Sequence, residues 1–371
     1  MIQTNTKNIS NGTMISVSGN LDGQGAEMLA KAMTGDLTYT LDFNEVESIS
    51  FAALRALLNC RKSGIRFCIV NASDSVAERI EDTGVSTFIS TCRKPKALDL
   101  GKYDEFGGSF LSKSFNSKDG DSMIKVYGPR MPKELVAQEK AVAKAVMVFG
   151  IPTPLVGTLY EDESGAMALD FERIEGKRSF SRVIADQPER LEEMSIRFAK
   201  MCKKLHTTPC DTVIFGDRSR FYRQAIVNCK EITDEEKEKA LAFLNNVPQA
   251  TTCLHGDMQL SNVITNEKED LWIDLSDFGY GNPMFDMGMW YFQAKLNVDE
   301  IVRDLFHFGN DTIAKVWDIF AKEYFGADTP EKLAEVERQV APFAALHMLY
   351  LGSVYGFMPF MIPFIRQTLL Q

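Results

Sequence analysis

Residues 254–286 read LHGDMQLSNVITNEKEDLWIDLSDFGYGNPMFD, and the organisation of the whole chain follows from them. Asp257 sits in a His-Gly-Asp triplet, Asn262 follows five residues later, and a short apolar strand, Leu271-Trp272-Ile273, ends on Asp274. This is a parts list for phosphoryl transfer. One carboxylate orients an attacking hydroxyl and takes its proton, while an amide and a second carboxylate hold magnesium against nucleotide phosphates. Two aspartates compete for the metal. A literal Asp-Phe-Gly runs from Asp277 to Gly279, but the strand ends three residues earlier, and a metal ligand should leave the strand end directly. Asp274 is therefore the expected ligand and Asp277 a helper. Capping of turns and helices is the alternative for these carboxylates, since Asp favours both places.

The order and spacing are similar to the His-Arg-Asp and Asp-Phe-Gly elements of protein kinases, with glycine at the second place of the first element. That glycine variant resembles the aminoglycoside phosphotransferase and choline kinase family. Its pattern after the strand is Ile-Asp-x-x-(Asp)-x-Gly-x-Gly-(Asp/Asn)-Pro, and Ile273, Asp274, Asp277, Gly279, Gly281, Asn282 and Pro283 fall into register. The resemblance implies an α+β two-lobed fold with Asp257 as base and with Asn262 and Asp274 as Mg2+ ligands. ATP, or GTP, is the implied co-substrate.

With 371 residues the chain is too long for one ordinary core, and two or three compact units are expected. A net charge of -10 argues against a nucleic-acid partner, which would require a basic stripe. Seven cysteines without a Cys-x-x-Cys pair support neither a disulfide framework nor a zinc site, and they read as buried thiols of a cytoplasmic protein. The N-terminus lacks the basic and apolar regions of a signal peptide. Residues 341–365 contain no Asp, Glu, Lys or Arg and are nominally long enough to span a bilayer. Three prolines and two glycines interrupt them, so buried C-terminal helices with a break are expected and membrane insertion is not.

Residues 1–100 read as a separate α/β domain. Strand patterns at Thr13 to Ser18, Thr38 to Phe43 and Ile65 to Val70 alternate with helical patterns at Gln24 to Met33, Ala52 to Cys60 and Asp74 to Thr83. Asp74 is the expected N-cap of the last helix and Gly84 its stop. This alternation implies a sheet covered on one side. Leu41-Asp42-Phe43 with Val46, Ile49 to Leu58, Ile69-Val70-Asn71 and Val76 to Gly84 resemble a STAS domain, the module of anti-sigma-factor antagonists and sulfate transporter tails. In regulatory members a strand-to-helix turn carries Asp-Ser-Ser-Gly, whose first serine is phosphorylated. Here the turn is Ser50-Phe51-Ala52-Ala53, so the acceptor position is Phe51 and a phosphoserine switch of that kind is not expected. Ser48 and Ser50 read as capping residues. The resemblance then implies a module that binds a protein partner, with Phe51 either exposed for docking or packed into the sheet.

A domain boundary is expected near Arg93 to Tyr103. Residues 101–176 form the expected smaller lobe and 177–371 the larger. From Phe110 to Tyr127 the pattern is a hairpin turned at Lys118-Asp119-Gly120, where Asp-Gly is a strong signal. Such a hairpin suits covering the phosphates, with the hydroxyls of Ser109, Ser112 and Ser114 assisting. Lys125 lies in its second strand, and a helix from Pro132 to Phe149 carries Glu139, the expected partner that holds Lys125 against the phosphates. Glu134 competes but lies too near the helix start. Gly150-Ile151 and Pro154 look like the Gly-Ile-x-x-Pro phrase of the resembled family, and Met167 to Gly176 reads as a strand running into the inter-lobe linker. That resemblance implies adenine contacts through the main chains of Glu172 and Ile174. A long helix, Leu191 to His206, ends in Leu-His, with His206 expected as a packed residue.

The acceptor pocket falls to residues 211–247 and the helices after Asp286, where Trp290, Tyr291, Phe292, Tyr350 and Tyr355 line either a cation-binding pocket or simply the core. The expected function is transfer of the γ-phosphate to a hydroxyl of a small molecule. A nucleotide-binding regulator or a protein kinase signalling through the STAS-like domain is the alternative. The protein-kinase form lacks a recognisable Ala-Pro-Glu segment.

Overall fold

A computed structural model describes residues 2–9, 12–33, 38–108, 112–128, 131–212, 214–295 and 298–370. The chain divides into two compact units, Met1–Glu175 with Val213–Gly216, and Gly176–Thr212 with Asp217–Gln371.

The first unit opens with β1 (Gln3–Ile9), β2 (Gly12–Leu21), α1 (Gly23–Ala32), β3 (Thr38–Ile49), α2 (Phe51–Lys62), β4 (Arg66–Ala72), α3 (Asp74–Asp82) and β5 (Thr91–Arg93). The strands form one sheet in the order β1-β2-β3-β4-β5, antiparallel at the β1 edge and parallel from β2 onward. Parallel pairing needs helical crossovers, and α1, α2 and α3 supply them. Their apolar stripes, with Ala26, Leu29, Leu54, Leu57, Val76 and Ile80, pack on Ile15, Leu41, Phe43 and Ile69 of the strands.

Two expectations for this region change, and one open alternative is decided. Ser73, not Asp74, caps α3: its hydroxyl accepts from the Val76 amide at 3.4 Å, while Asp74 lies in the first turn, where a carboxylate meets the helix dipole. The sheet is also not covered on one side alone. Along β4, Phe67 and Ile69 face the helices just described, whereas Cys68 and Val70 are buried in a second core. Finally, Phe51 does not pack into the sheet; it is 64% exposed, with the Arg79 guanidinium 4.1 Å from its ring centre. Ser50 caps α2 as its sequence position suggests, its hydroxyl accepting from the Ala53 amide.

A second sheet of the same unit has the order β6-β10-β11-β9-β8-β7. Its elements are β6 (Lys96–Ala97), β7 (Tyr103–Gly108), β8 (Ser112–Ser117), β9 (Ser122–Tyr127), α4 (Lys133–Val148), β10 (Val156–Glu161) and β11 (Met167–Glu172). Within the stretch 93–103, where a domain boundary is expected, β6 pairs in parallel with β10, and the Leu98 amide donates to the Glu161 carbonyl at 2.9 Å. The hairpin turned at Gly120 forms from β8 and β9, and Gly120 takes the φ of +86° that the turn requires. β7, an additional strand, precedes it and pairs with β8. Ser109 lies outside the described residues.

The second unit is mainly helical. Around short strands β12 (Arg178–Ser179), β13 (Thr252–Leu254), β14 (Val263–Thr265), β15 (Asp270–Trp272) and β16 (Gly279–Gly281) lie α5 (Phe180–Asp186), α6 (Leu191–Thr207), α7 (Ser219–Asn228), α8 (Asp234–Asn246), α9 (Met284–Ala294), α10 (Asp299–Phe306), α11 (Asn310–Phe325), α12 (Pro330–Tyr355) and α13 (Met361–Thr368). The uncharged C-terminal stretch becomes the end of α12, a break at Gly356 with φ +97°, and α13. Phe343, Leu346, Leu349 and Ile365 from these helices join the core of this unit. Among the described residues no helix is long and apolar enough to cross a membrane. All seven cysteines are buried and none forms a disulfide.

Candidate active site

In the second unit β13 and β16 pair so that Leu254 lies opposite Gly279, which brings the His-Gly-Asp triplet beside the segment running from Asp274 to Gly281. His255 is fully buried against Trp272, ring centres 5.0 Å apart. Its Nε2 lies 3.1 Å from the Ile273 carbonyl and its Nδ1 3.2 Å from the Asp257 amide. An amide only donates and a carbonyl only accepts, so Nε2 carries the proton and the ring is neutral. Burial holds its pKa below 6.5 in agreement. His255 ties the triplet to the strand end and is no base.

Gly256 is dictated by contact. Its φ is +83°, and a Cβ there would lie 2.2 Å from the Asp277 carbonyl oxygen. Replacing it with alanine combines a left-handed backbone, costing about 1 to 2 kcal/mol, with an overlap that the backbone of Asp277 must yield to, costing about 1 to 3 kcal/mol. Gly256→Ala is expected to lower the urea midpoint by an amount worth at least about 2 kcal/mol, and an unchanged midpoint would show that the two loops are not in contact.

Asp257 is half-buried, and Asn262 is almost wholly so. The Asn262 amide donates to Asp257 Oδ2 at 2.8 Å and to the Asp257 carbonyl at 2.9 Å, and Gln259 adds a bond at 3.3 Å. With the Asn262 NH2 group committed, its Oδ1 is the atom left for a cation. Burial, followed by the neighbouring charges of Asp277 and Asp274, pushes Asp257 up to about 7, against the lowering effect of Asn262 and Gln259. Asp274 directly follows Ile273 with a left-handed backbone, φ +55° and ψ +53°, which few residues other than glycine adopt. Its side chain is exposed, whereas Asp277 bonds the buried Arg218, Oδ1 to Nη1 3.0 Å. The Arg218 guanidinium also lies 4.1 Å from the centre of the Phe221 ring.

Two residues acquire roles that the sequence did not assign. Asp286, at the first turn of α9, is buried and accepts from the His255 amide at 2.7 Å, the Gly256 amide at 2.9 Å and His206 Nε2 at 3.0 Å. Burial alone would raise its pKa, but His206 and the amides outweigh it and hold Asp286 below the usual carboxylate range. The available signal was a lone carboxylate in an otherwise apolar helix, MFDMGMWYFQA. Arg218 had no signal, being one of three arginines in a few residues. His206 is packed as expected, its Nδ1 2.6 Å from the Tyr324 hydroxyl.

In the first unit, Lys125 of β9 and Glu139 of α4 meet, Nζ to Oε1 3.2 Å, and both are largely buried. Lys125 also lies 5.1 Å from the Tyr127 ring centre. The competitor Glu134 instead faces Lys7 at 3.6 Å. At the end of β11 the Glu172 amide donates to the Leu155 carbonyl and the Arg173 amide to the Asp121 carbonyl. The amides of Glu172 and Arg173 are thus committed within the unit. Of the aromatic candidates, Trp290 is core, against Phe198 and Phe320, Phe292 is buried, Tyr350 stands against Tyr222, and Tyr355 is 72% exposed.

Among the described residues no cluster of three or more His, Cys, Asp or Glu side chains could hold a metal. The donor set at Asn262 and Asp274 is all oxygen with few protein ligands. It fits magnesium, which keeps waters and phosphates in most of its coordination sphere.

Comparison with known proteins gives the site its context. Residues 3–97 match the STAS domain. No curated protein matches the chain. Solved structures similar to it include an aminoglycoside-3'-phosphotransferase of type VIII, 21% identical over 67% of this chain and 94% of that one, TM-score 0.44. An aminoglycoside phosphotransferase from Streptomyces rimosus is 14% identical over 77% and 100%, TM-score 0.44. A choline/ethanolamine kinase family protein from Mesorhizobium loti is 15% identical over 72% and 86%, TM-score 0.42. Residues 105–317, more than half of the chain, match the phosphotransferase enzyme family, and behind its N-terminal STAS domain the chain belongs to that family.

Proposed function

We propose that the chain transfers the γ-phosphate of ATP, or GTP, to a hydroxyl of a small molecule, with Asp257 as the positioning base. The observation that carries this reading is the fixed Asp257 carboxylate, bonded to Asn262 at 2.8 Å and set on a loop that Asp286 holds through two backbone amides. A carboxylate pushed up to about 7 has a proton affinity matched to work near neutral pH. In this reading Asp257 orients the acceptor hydroxyl and receives its proton as the oxygen attacks. Lys125, steadied by Glu139, holds nucleotide phosphate oxygens, and the Glu172 carbonyl and Ile174 amide receive the base. Asn262 and Asp274 would hold Mg2+, which when bound offsets phosphate charge. The exposed Phe51 supports a second part of the proposal, that the STAS domain docks a protein partner.

The test is magnesium- and nucleotide-dependent turnover of the purified chain against aminoglycosides, amino alcohols, sugars and nucleosides. Turnover of one class is expected; tight MgATP binding with no turnover of any class would favour a regulatory role instead. The two aspartates separate in the same assay. Asp274→Ala is expected to weaken magnesium-dependent ATP binding at least tenfold, about 1.4 kcal/mol. Asp277→Ala should leave that affinity nearly intact while destabilising the fold by about 1 to 3 kcal/mol, because Arg218 loses its counter-charge. The reverse pattern would make Asp277 the ligand.

A further inference from the structure

The STAS domain does more in this chain than occupy its N-terminus. The second face of its sheet carries Cys68, Val70 and Cys92, and these pack in one core with Val136, Ala137 and Ala141 of α4 and with Tyr127, Leu159 and Leu169 of the neighbouring sheet. Two side-chain bonds reach mid-helix carbonyls across this contact. Cys92 Sγ donates to the Ala137 carbonyl at 3.2 Å and Ser90 Oγ to the Ala141 carbonyl at 3.2 Å. Lys7 adds an ion pair to Glu134 in the first helical turn. The two anchored carbonyls are one helical turn apart, and Glu139 lies between them in the sequence. Its carboxylate meets Lys125. A helix that is bonded at consecutive turns and packed by small residues has neither rotational nor sliding freedom on that side.

We infer that the STAS-domain sheet is the positioning surface for Glu139: by holding α4 at Ala137 and Ala141 it sets the Lys125–Glu139 pair and thereby nucleotide affinity. Ser90 and Cys92 are positioning residues, acting through the helix and not by touching nucleotide. The inference rests on the proposed role of Lys125 in holding phosphates. It also gives the fusion a physical purpose, since whatever displaces this sheet face reaches the nucleotide-binding pair through one helix.

The experiment measures equilibrium MgATP binding to the full chain by calorimetry. Ser90→Ala with Cys92→Ala removes both donors without adding bulk and is expected to weaken binding about 3- to 30-fold, from two bonds of ordinary worth. Added to Glu139→Gln, the same pair of changes is expected to cost nothing further, because its route to the nucleotide is already cut. Ser90→Thr with Cys92→Ser, which keeps a donor at each place, is expected to restore wild-type affinity. Unchanged affinity in the alanine pair, or a loss that simply adds to that of Glu139→Gln, overturns the inference while leaving the nucleotide reading in place. No MgATP binding by the wild-type chain, or no effect of Glu139→Gln, overturns both.

Discussion

Asp257→Asn is expected to lower kcat by roughly 100- to 10,000-fold, about 3 to 5 kcal/mol of transition-state stabilisation, with MgATP affinity little changed. The substitution is nearly isosteric, and the new carbonyl can still accept from Asn262. What disappears is the group that takes the hydroxyl proton. A loss under tenfold would remove Asp257 from the role of base. Stability should move the opposite way in the metal-free protein. Burial and the charges of Asp274 and Asp277 raise Asp257 in the folded state to about 7, from an ordinary value of 3.8. The unfolded chain therefore releases this proton first, and the charged carboxylate destabilises the fold increasingly as pH rises from about 4 to about 7. With a chelator present, Asp257→Asn is expected to melt higher than wild type at pH 8, with the difference vanishing near pH 4. An equal difference at both pH values would show that the carboxylate is not strained by its surroundings.

Asp286→Ala should be the most damaging change to the fold of the loop. It strips the acceptor from the His255 and Gly256 amides and from His206 at once, at a buried site. Breaking a buried, hydrogen-bonded charge of this kind costs about 3 to 5 kcal/mol, and turnover should fall with it because Asp257 follows Gly256 directly. Urea unfolding measures the first effect and single-turnover kinetics the second. Asp286→Asn keeps one carbonyl and should cost less in both. Because the folded-state pKa of Asp286 is depressed, its contribution is present throughout neutral pH and is lost only as pH falls below the ordinary carboxylate range. An Asp286→Ala protein that unfolds at the wild-type urea concentration would mean that the loop is held by other contacts.

Most secondary structure was legible because it is local. The period-two runs of β2 and β3, the apolar run of β4, the helical stripes of α1 to α3 and the capping residue Ser50 act within a few residues of themselves. The candidate site was legible for a related reason: Asp257, Asn262 and Asp274 lie on one short stretch whose spacing is set by the chemistry. The bond between Lys125 and Glu139 could be anticipated because Glu139 lies on α4, the helix that directly follows the strand bearing Lys125. Where the sequence misled, a distant surface was involved. β4 has an unbroken apolar run, and an apolar run alone does not say whether one face or two will be covered.

By itself, the sequence determined the two kinds of fold and set the candidate residues Asp257, Asn262 and Asp274 on one short stretch, since each depends on periodicity or close spacing along the chain. Only the tertiary structure decided that Asp286 anchors the loop, that Gly256 admits no side chain, that Arg218 engages Asp277, and that the STAS sheet grips the helix bearing Glu139. Those facts are contacts between residues from 21 to 59 positions apart, and no local pattern encodes which buried donor will meet which acceptor.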